Sequence, residues 1–442
     1  MDFTEGNIVK QLFFFSTPIM AANLLQVSYQ FVDSLWVGNL LGSDALGAVS
    51  IASTVILTML SFILGINNAA LTILSQQRNQ QSNAGLKHYL NAFVVLLTSL
   101  AVLMGAAGYL YAETILKMLN TPLEMIPDAA AYLRINFIGI LFLLGYNFIS
   151  TVLRSLGDSK TPLLFVAAAV LLNIVLDPVL ISVFNLGING AAVATVISQG
   201  LAFVLGVLYT LRRKAVPFSI PFMPKKEEIV LILKLGIPAG LQMMVIYAGV
   251  TAIMTVVNSF GGDAAAGFGA AQRLDSLIML PAMALGTAVN SMAGQNIAGN
   301  HWNRIRQIAI YGALYNLITM LVIAVIVFLL AEFAIKLFIE EEDAVQFGTS
   351  YLKIIAFFYP FIGLNFILNG IVRASGAMYQ VLVLNILSFW VLRYPLTYIC
   401  SAFLGENGIA LGMGLGFVIS SAFSFWYYQF GKWRKIELFP SN

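Results

Sequence analysis

One stretch, Leu12 to Leu41, constrains this chain more than any other, because it is apolar almost throughout and contains a single charge. It reads LFFFSTPIMAANLLQVSYQFVDSLWVGNLL and exceeds the roughly 20 residues that a helix needs to cross a bilayer. Pro18 predicts a bend within this helix, and Asp33 places a carboxylate among apolar residues. A charged Asp near the centre of a membrane helix costs on the order of 2.5–3.5 kcal/mol. We therefore expect Asp33 to have a function.

The composition as a whole is that of an integral membrane protein. Hydrophobic residues make up 60% of the chain, charged residues make up 10%, and the mean hydropathy is +0.88. A soluble domain has about 25% charged residues. The apolar runs are too long for barrel strands, so we predict an all-α protein. Twelve transmembrane helices are predicted, at 11–36, 45–73, 89–112, 129–153, 160–183, 187–211, 229–259, 263–297, 304–330, 346–372, 377–403 and 408–431.

The charges in the connections predict the orientation of these spans. Most of the 23 basic residues fall in loops on the same side as the N-terminus, whereas the opposite loops carry acids such as Glu113, Asp128 and the run Glu340–Asp343. By the positive-inside rule, both termini are cytoplasmic, which agrees with an even number of spans. The first ten residues contain no signal-peptide cleavage site, so we interpret them as a mature end. The expected location is the cell membrane, with the chain crossing it many times.

The sequence repeats weakly about its middle. A basic linker with three prolines, residues 212–228, separates two parts that match at nearly constant offset. The matching pairs include Pro18 and Pro238, Gly42 and Gly262, Arg154 and Arg373, and Gly190 and Gly408. We predict two homologous six-helix bundles, an N-lobe over 1–211 and a C-lobe over 229–431, followed by a cytoplasmic tail over 432–442.

The even number of helices in each half has a consequence for symmetry. Both halves enter the membrane the same way round, which predicts a pseudo-twofold axis along the membrane normal and a cavity at their junction. Such an arrangement is typical of transporters that work by alternating access. The competing interpretation is that the duplication only builds a larger bundle.

Charged residues within the spans are the candidates for function; they are Asp33, Asp177, Arg273, Asp275 and Arg393. Asp177 follows Asn173 by four residues, so both lie on one face of a helix. Pro178 comes next and is expected to bend this helix and to leave a backbone carbonyl open. In the following span, Thr195 lies four residues after Ala191. Asp33, Asn173, Asp177 and Thr195 all fall in the outer half of their helices and can meet at one depth.

Two interpretations of this cluster remain open. In the first, the two carboxylates bind H+ or Na+ as a coupled pair, because burial and mutual repulsion both oppose two negative charges. In the second, each Asp is a separate structural hydrogen-bonding group at a broken helix end. For Arg273, Asp275 and Arg393 we expect internal ion pairs or side chains that extend toward the outer interface. A polar site in the C-lobe is the alternative for these three.

No motif for catalysis or cofactor binding is found. The chain has no GxxxxGK[ST] loop, which excludes transport driven by its own ATP hydrolysis, and it has no plausible Ser/His/Asp or Cys/His set. One cysteine excludes an intramolecular disulfide, and the two histidines lack metal-ligand spacing. We predict a protein that is not an enzyme, has no cofactor, binds no nucleic acid and acts as a monomer.

Four stretches together resemble the multidrug and toxic compound extrusion (MATE) transporters. They are Pro18 with FVDSLWVGNLLG, then LRSLGDSKTP, LNIVLDPVLI and GINGAAVAT, and the resemblance spans nearly the whole chain. It implies a V-shaped pair of six-helix bundles that exports amphiphilic, often cationic compounds in exchange for H+ or Na+. It also implies an ion-coupling site, or a Na+ site, formed by Asp33, Asn173, Asp177 and Thr195, with Tyr132 and Asn147 as hydrogen-bond neighbours and the Ala191 carbonyl as a further sodium ligand. The absence of Glu between 229 and 259 is similar to the DinF-type branch.

The function that these observations favour is secondary multidrug efflux by cation-coupled antiport, with H+ preferred over Na+ as the coupling ion. The expected partners are small amphiphilic compounds and the lipid bilayer. The main alternative is a flippase for a lipid-linked sugar or another amphiphilic lipid, because Arg273 and Arg393 suit an anionic ligand. A passive channel or a membrane-embedded enzyme is the remaining alternative.

Overall fold

The computed structural model describes residues 1–78, 83–213, 216–218 and 221–439. Parts of the predicted linker, 214–215 and 219–220, and of the predicted tail, 440–442, lie outside the described residues. Helices make up nearly all of the described length. The apolar runs fold in this way because a helix satisfies every backbone N–H and C=O group within its own segment, which lipid cannot do.

Among the described residues, seven α-helices form the first half of the chain. They are α1 (Ile8–Leu41), α2 (Ser43–Arg78), α3 (Asn83–Met118), α4 (Ile126–Ile138), α5 (Ile140–Ser155), α6 (Lys160–Pro178) and α7 (Gly187–Arg213). A π-helical turn, Val179–Val183, continues α6.

Nine α-helices form the part of the second half that the structure describes. They are α8 (Lys226–Asn258), α9 (Gly262–Ile278), α10 (Leu280–Ala298), α11 (Trp302–Lys336), α12 (Glu342–Ala356), α13 (Tyr359–Ala374), α14 (Met378–Ile386), α15 (Tyr394–Leu404) and α16 (Asn407–Phe430). A π-helical segment, Leu387–Arg393, joins α14 to α15, and the short 3-10 helix Lys432–Lys435 follows α16.

These helices combine into twelve membrane spans. Among the described residues, eleven stretches are long and apolar enough to cross a membrane, and α4 with α5 forms a twelfth span that is bent by 49°. The bend lies at Gly139, which ends α4 and directly precedes α5. The prediction of twelve transmembrane helices is therefore confirmed.

The described residues cluster into two compact units whose limits fall inside helices. Unit 1 contains Met1 and Ala21–Gly236, and unit 2 contains Asp2–Met20 and Ile237–Asn442. The first limit lies two residues after Pro18 within α1, and the second lies two residues before Pro238 within α8. The N-terminal part of α1 thus packs with the second half of the chain, and the N-terminal part of α8 packs with the first half.

The segment that precedes α1 is anchored within unit 2. The Phe3 side chain is fully buried, and the backbone on both sides of it is held by side chains. The Phe3 carbonyl accepts hydrogen bonds from Asn296 Nδ2 at 2.9 Å and from an Arg304 guanidinium nitrogen at 3.0 Å. The Phe3 N–H donates to Gln295 Oε1 at 3.2 Å. These bonds fix the start of α1 against α10 and α11.

The segment that precedes α8 is anchored in a similar way within unit 1. The Phe222 N–H donates to Asn91 Oδ1 at 3.0 Å, and Asn91 Nδ2 donates to the Phe222 carbonyl at 2.8 Å. The side-chain amide of Asn91 therefore satisfies both the N–H and the C=O group of Phe222, which lies four positions before α8 begins. In each repeat, a phenylalanine just before the leading helix is the anchored residue.

Two glycines that match in the repeat sit where the backbone of a neighbouring segment approaches closely. A Cβ atom on Gly190 would lie 2.8 Å from the Leu180 carbonyl, and a Cβ atom on Gly408 would lie 2.1 Å from the Cys400 carbonyl oxygen. Side chains are excluded at both positions because the obstacle is backbone. The repeated Asn-Gly motif thus has a packing function in both units.

We predict that Gly408→Ala lowers the stability of the protein, because the new methyl group must displace the backbone at Cys400. Overpacking of this kind costs about 1–3 kcal/mol. The measurement is the apparent melting temperature of the purified full chain in detergent, at one fixed heating rate.

Gly269→Ala is the matched control, because Gly269 also lies in a helix of unit 2 but has no atom within 4 Å of the added Cβ. Its melting temperature should stay the same or rise slightly, since Ala favours a helix more than Gly does. Equal melting temperatures for Gly408→Ala and Gly269→Ala would contradict the packing argument.

Candidate functional site

Two carboxyl groups of unit 1 lie side by side in buried positions. Asp33, on α1, is 8% exposed, and Asp177, on the last turn of α6, is fully buried. Their side chains are in hydrogen-bond contact with each other. Ionised carboxylates are acceptors only, so this contact is a hydrogen bond only when one of the two carries a proton. The geometry therefore brings together the two acids that the sequence singled out.

The end of α6 determines where the Asp177 side chain points. Asn173 Nδ2 donates to Asp177 Oδ1 at 3.2 Å, so the four-residue spacing does place both side chains on one face. Directly after Pro178, the helix continues as the π-helical turn Val179–Val183, which is expected beside a residue without an N–H group. Such turns are frequent at functional sites, because they change the backbone hydrogen bonding locally.

Four buried oxygen atoms of these residues and of Thr195 have no hydrogen-bond partner among the described residues; they are Asp33 Oδ1, Asn173 Oδ1, Asp177 Oδ2 and Thr195 Oγ1. Thr195, on α7, lines the same cavity as Asn173. A buried polar atom without a partner costs about 1–3 kcal/mol. Oxygen atoms are also the ligands that hard cations prefer. The four atoms are therefore chemically suited to a proton or to Na+.

Three further residues, Tyr132, Ala191 and Asn147, were predicted for this site. Their surroundings in the structure differ from one another. Tyr132 is buried and lies within electrostatic range of both carboxyl groups. Ala191 is fully buried and lies one turn before Thr195. Asn147 donates its Nδ2 to the backbone of its own helix at 2.8 Å. Within the described part of the chain, no hydrogen bond joins Asn147 to either carboxyl group.

A small cavity, lined by apolar surface and several polar side chains, adjoins the site within unit 1. Its volume is about 30 Å³, and about two water molecules fit such a space. The lining residues are Gln26, Tyr29, Tyr146, Val166, Ala169, Val170, Asn173, Thr195, Ser198 and Gln199. Gln26 Nε2 donates to the Tyr146 hydroxyl at 2.7 Å, whereas Ser198 Oγ is buried without a partner in the described protein. The space suits water or a small ion and is too small for an organic substrate.

Sequence reasoning missed some of these lining residues, although a signal was present. Tyr29 and Gln26 precede Asp33 by four and seven residues, so helical periodicity places all three on one face of α1. Ser198 follows Thr195 by three residues on α7 and shares its face for the same reason. A search for polar residues at helical spacing around each buried acid would have found this set.

The acid of unit 2, Asp275 on α9, has a very different environment. Its Oδ2 atom accepts hydrogen bonds from the Tyr351 hydroxyl at 3.1 Å and from Gln272 Nε2 at 3.3 Å. Its Oδ1 atom accepts a hydrogen bond from the Tyr359 hydroxyl. Both carboxylate oxygens are therefore satisfied by protein donors. The two tyrosines lie some 80 residues away along the chain, so no local pattern pointed to them.

Of the two expectations for Arg273, Asp275 and Arg393, that of internal ion pairs is wrong, and that of side chains extending toward the outer interface stays a prediction. Among the described residues, no ion pair involves Arg273, Asp275 or Arg393. Arg273 is exposed, with its guanidinium carbon 5.9 Å from the Phe338 ring centre. Arg393 is buried at 3% exposure. The reason is that hydroxyl and amide donors already satisfy Asp275, and that residues two apart on a helix face different sides.

A comparison with protein-family models gives the same family for both halves of the chain. The MatE family model matches residues 18–179 and again residues 238–399. The two matches begin at Pro18 and Pro238, so they follow the repeat that the sequence shows. The chain belongs to the MATE family. Two homologous halves, as predicted, are therefore confirmed.

Curated MATE relatives match this chain over nearly its whole length. The probable multidrug resistance protein YpnP of Bacillus subtilis is 62% identical over 441 residues, which cover 100% of this chain and 99% of that protein. The probable multidrug resistance protein YoeA of the same organism is 30% identical and covers 98% of this chain and 96% of its own. The multidrug export protein MepA of Staphylococcus saprophyticus is 27% identical, with 92% and 90% covered.

Solved MATE structures have the same fold. A crystal structure of MATE in complex with MaL6 superposes with a TM-score of 0.91 at 21% identity and covers 97% of each chain. A transporter of the MOP superfamily from Pyrococcus furiosus gives the same TM-score and identity, with 97% of this chain and 96% of its own covered. This protein is thus a multi-pass membrane transporter and not an enzyme. Its placement in the DinF-type branch and the roles of the site residues stay predictions.

The different environments of Asp177 and Asp275 predict opposite effects of the same substitution. At pH 8 and without added Na+, Asp177→Asn should raise the apparent melting temperature, because an amide removes the repulsion from Asp33 and can donate to it. Asp275→Asn should lower it, because the amide nitrogen would face a hydroxyl or amide donor. A donor left unpaired in this way costs about 1–3 kcal/mol.

Thermal unfolding of both variants in detergent, beside the wild type, measures this pair of effects. Asp44→Asn, at an exposed position at the start of α2, is the control and should leave the melting temperature unchanged. A loss of stability in Asp177→Asn equal to that in Asp275→Asn would show that the two acids have the same structural role.

Proposed function

We propose that this MATE protein is a secondary multidrug exporter, an antiporter that exchanges H+ for amphiphilic, often cationic compounds by alternating access. The observation that carries this proposal is the buried pair of Asp33 and Asp177 with its unpartnered oxygens in unit 1. The relatives named for multidrug resistance and multidrug export support the substrate class.

The proposed cycle depends on the charge of the acid pair. When the transporter is open to the inside, the ionised pair attracts a cationic compound, which apolar walls hold. When it is open to the outside, H+ neutralises the pair, and the compound loses its counter-charge and leaves. Loss of charge at Asp33 acts on α1, where Pro18 removes one helical hydrogen bond and allows bending.

The contact between the two carboxyl groups favours H+ as the coupling ion. Side chains of Asp33 and Asp177 that touch within a buried site need at least one proton or one cation between them, because two negative charges at this distance repel strongly. A single proton satisfies both groups through one hydrogen bond. Sodium needs several oxygen ligands, and Asn173, Thr195 and the Ala191 carbonyl are the atoms that would supply them.

The balance of charges limits how far the transporter can concentrate a compound. A membrane potential supplies about 2.3 kcal/mol per charge for each 100 mV. Exchange of one H+ for one monovalent cation moves no net charge, so the potential then contributes nothing. The pH gradient is the driving force in this case, and a second proton per cycle would add the potential to it.

The orientation and assembly of the protein follow from the same proposal. We infer that the transporter acts as a monomer in the cell membrane with both termini in the cytoplasm. The excess of basic residues in the loops on the side of the termini supports this orientation. Under this orientation the acid pair lies in the outer half of its helices, where external H+ reaches it.

We predict that Asp33→Asn and Asp177→Asn each abolish coupled export, because each variant lacks one of the two carboxyl groups whose change of charge drives the proposed cycle. The assay is uptake of a fluorescent cationic dye into proteoliposomes, driven by a pH gradient at equal Na+ on both sides. A Na+ gradient at equal pH, applied to the wild type, tests the competing ion. Asp44→Asn, at an exposed site in the same unit, is the control and should transport as the wild type does.

Three outcomes would contradict parts of this proposal. Unimpaired transport by Asp33→Asn would remove the acid pair from the mechanism. Transport driven by a Na+ gradient alone would show that the coupling ion is Na+ and not H+. Flux that needs no gradient would indicate a channel instead of an antiporter.

A further inference from the structure

Arg393 occupies a position in unit 2 that the proposed cycle does not use. It is the last residue of the π-helical segment Leu387–Arg393, directly before Tyr394 and Pro395. Only 3% of it is exposed. The close approach of Gly416, whose added Cβ would lie 3.1 Å from the Arg393 Cα, holds this part of the backbone against α16. The side chain is therefore fixed at its base within the span.

The guanidinium group of Arg393 is buried with its Nε–H group left without a hydrogen-bond partner among the described residues. Neither an ion pair nor a hydrogen bond to its guanidinium nitrogens is found among the described residues. Buried charges are normally paired, because removal of a charge from water costs several kcal/mol. Arg393 is thus an unpaired buried cation with five N–H donors.

Two aromatic rings account for part of the stability of this cation. The guanidinium carbon lies 3.7 Å from the ring centre of Phe389 and 4.5 Å from that of Phe417. A ring face attracts a cation, but it does not accept the N–H hydrogen bonds that a guanidinium needs. The rings therefore hold the group in place and leave its donors without acceptors.

The carboxylate of Asp275 does not fill this role. Both of its oxygens already accept hydrogen bonds, from Tyr351, Tyr359 and Gln272. Tyr351 lies within electrostatic range of both Asp275 and Arg393, but its hydroxyl proton is directed to the acid. Within the described part of unit 2, Asp275 is thus satisfied by protein donors, whereas the Arg393 Nε–H has no acceptor.

We propose that Arg393 binds the carboxylate group of transported compounds, so that the substrates include zwitterionic amphiphiles with an aromatic body. A planar carboxylate matches the planar guanidinium fork with two parallel hydrogen bonds. One guanidinium neutralises one carboxylate, whereas a phosphate dianion would leave a second charge buried. The rings of Phe389 and Phe417 give the apolar surface that an aromatic body needs beside its carboxylate. This inference deepens the proposed export function and depends on it.

A matched pair of dyes tests the inference. Rhodamine 110 carries a free carboxyl group, and rhodamine 123 is its methyl ester, so the two differ only in that anion. We expect Arg393→Gln to weaken binding of rhodamine 110 to the purified full chain by roughly 10- to 100-fold, the loss of a charged hydrogen-bonded pair. Binding of rhodamine 123 should stay the same or become tighter, because a nearby positive charge is removed. Fluorescence anisotropy in detergent measures both affinities.

The controls separate this effect from a general loss of structure. Arg434→Gln removes an arginine of the same unit that also stacks on two aromatic rings, at 4.8 and 5.3 Å, but is exposed, and it should change neither affinity. The melting temperature of Arg393→Gln without ligand should equal or exceed that of the wild type, since an unpaired buried charge is removed. Arg393→Lys keeps the charge without the planar fork and should retain part of the affinity for rhodamine 110.

The outcomes distinguish this inference from the proposed function. A wild type that binds rhodamine 123 but not rhodamine 110, or an equal loss of both dyes in Arg393→Gln, would overturn the inference and leave cation export intact. Arg393-dependent binding of rhodamine 110 without gradient-driven uptake of either dye into proteoliposomes would overturn the export function and keep the site.

Discussion

The cost of burying charge in an apolar protein within lipid is the constraint that shapes both units. Three places in the molecule illustrate different solutions. Asp33 and Asp177 lie against each other and leave oxygens open, whereas Asp275 is saturated by protein donors. Arg393 lies against the rings of Phe389 and Phe417, and its Nε atom has no hydrogen-bond partner among the described residues. A group that the protein itself satisfies can remain in one charge state, and a group that the protein leaves open depends on something that binds.

Two membrane spans have an irregular, π-helical segment next to a group with a buried atom that has no hydrogen-bond partner in the described protein. Asp177 precedes a π-helical turn beside Pro178, and Arg393 ends a π-helical segment beside Pro395. In both spans the proline removes an N–H from the helical ladder, and the wider turn re-forms the hydrogen bonds around the gap. Each unit therefore has a π-helical segment and a proline in one span, with an acid directly before the proline in unit 1 and an arginine two residues before it in unit 2.

Much of this fold could be predicted from the sequence, because long apolar runs have few alternatives in a membrane. The twelve spans and the repeat follow from local composition, and the four-residue spacing of Asn173 and Asp177 predicted their hydrogen bond. Contacts between residues far apart in the chain could not be read in this way. The tyrosines that donate hydrogen bonds to Asp275 belong to this class, and so do the rings of Phe389 and Phe417 beside Arg393.

The limits of the two units could not be predicted from the sequence either, because they do not fall in the linker, where the composition changes. They fall within α1 and α8, close to Pro18 and Pro238, and polar anchors at Phe3 and Phe222 decide where each helix begins. Hydropathy reports that a helix is apolar, but it does not report which neighbour that helix packs against.

The path of α1 adds a mechanical argument to the proposed antiport. Its first turns are anchored in unit 2 through Phe3, and Asp33 lies on the part that belongs to unit 1. A helix is stiff except where its hydrogen bonds are missing, and in α1 that place is Pro18. A change of charge at Asp33 therefore acts on a helix whose N-terminal end is held by the hydrogen bonds around Phe3 and whose own hydrogen bonding is interrupted at Pro18. If α1 bends during transport, the bend should occur at Pro18, while the bonds around Phe3 persist.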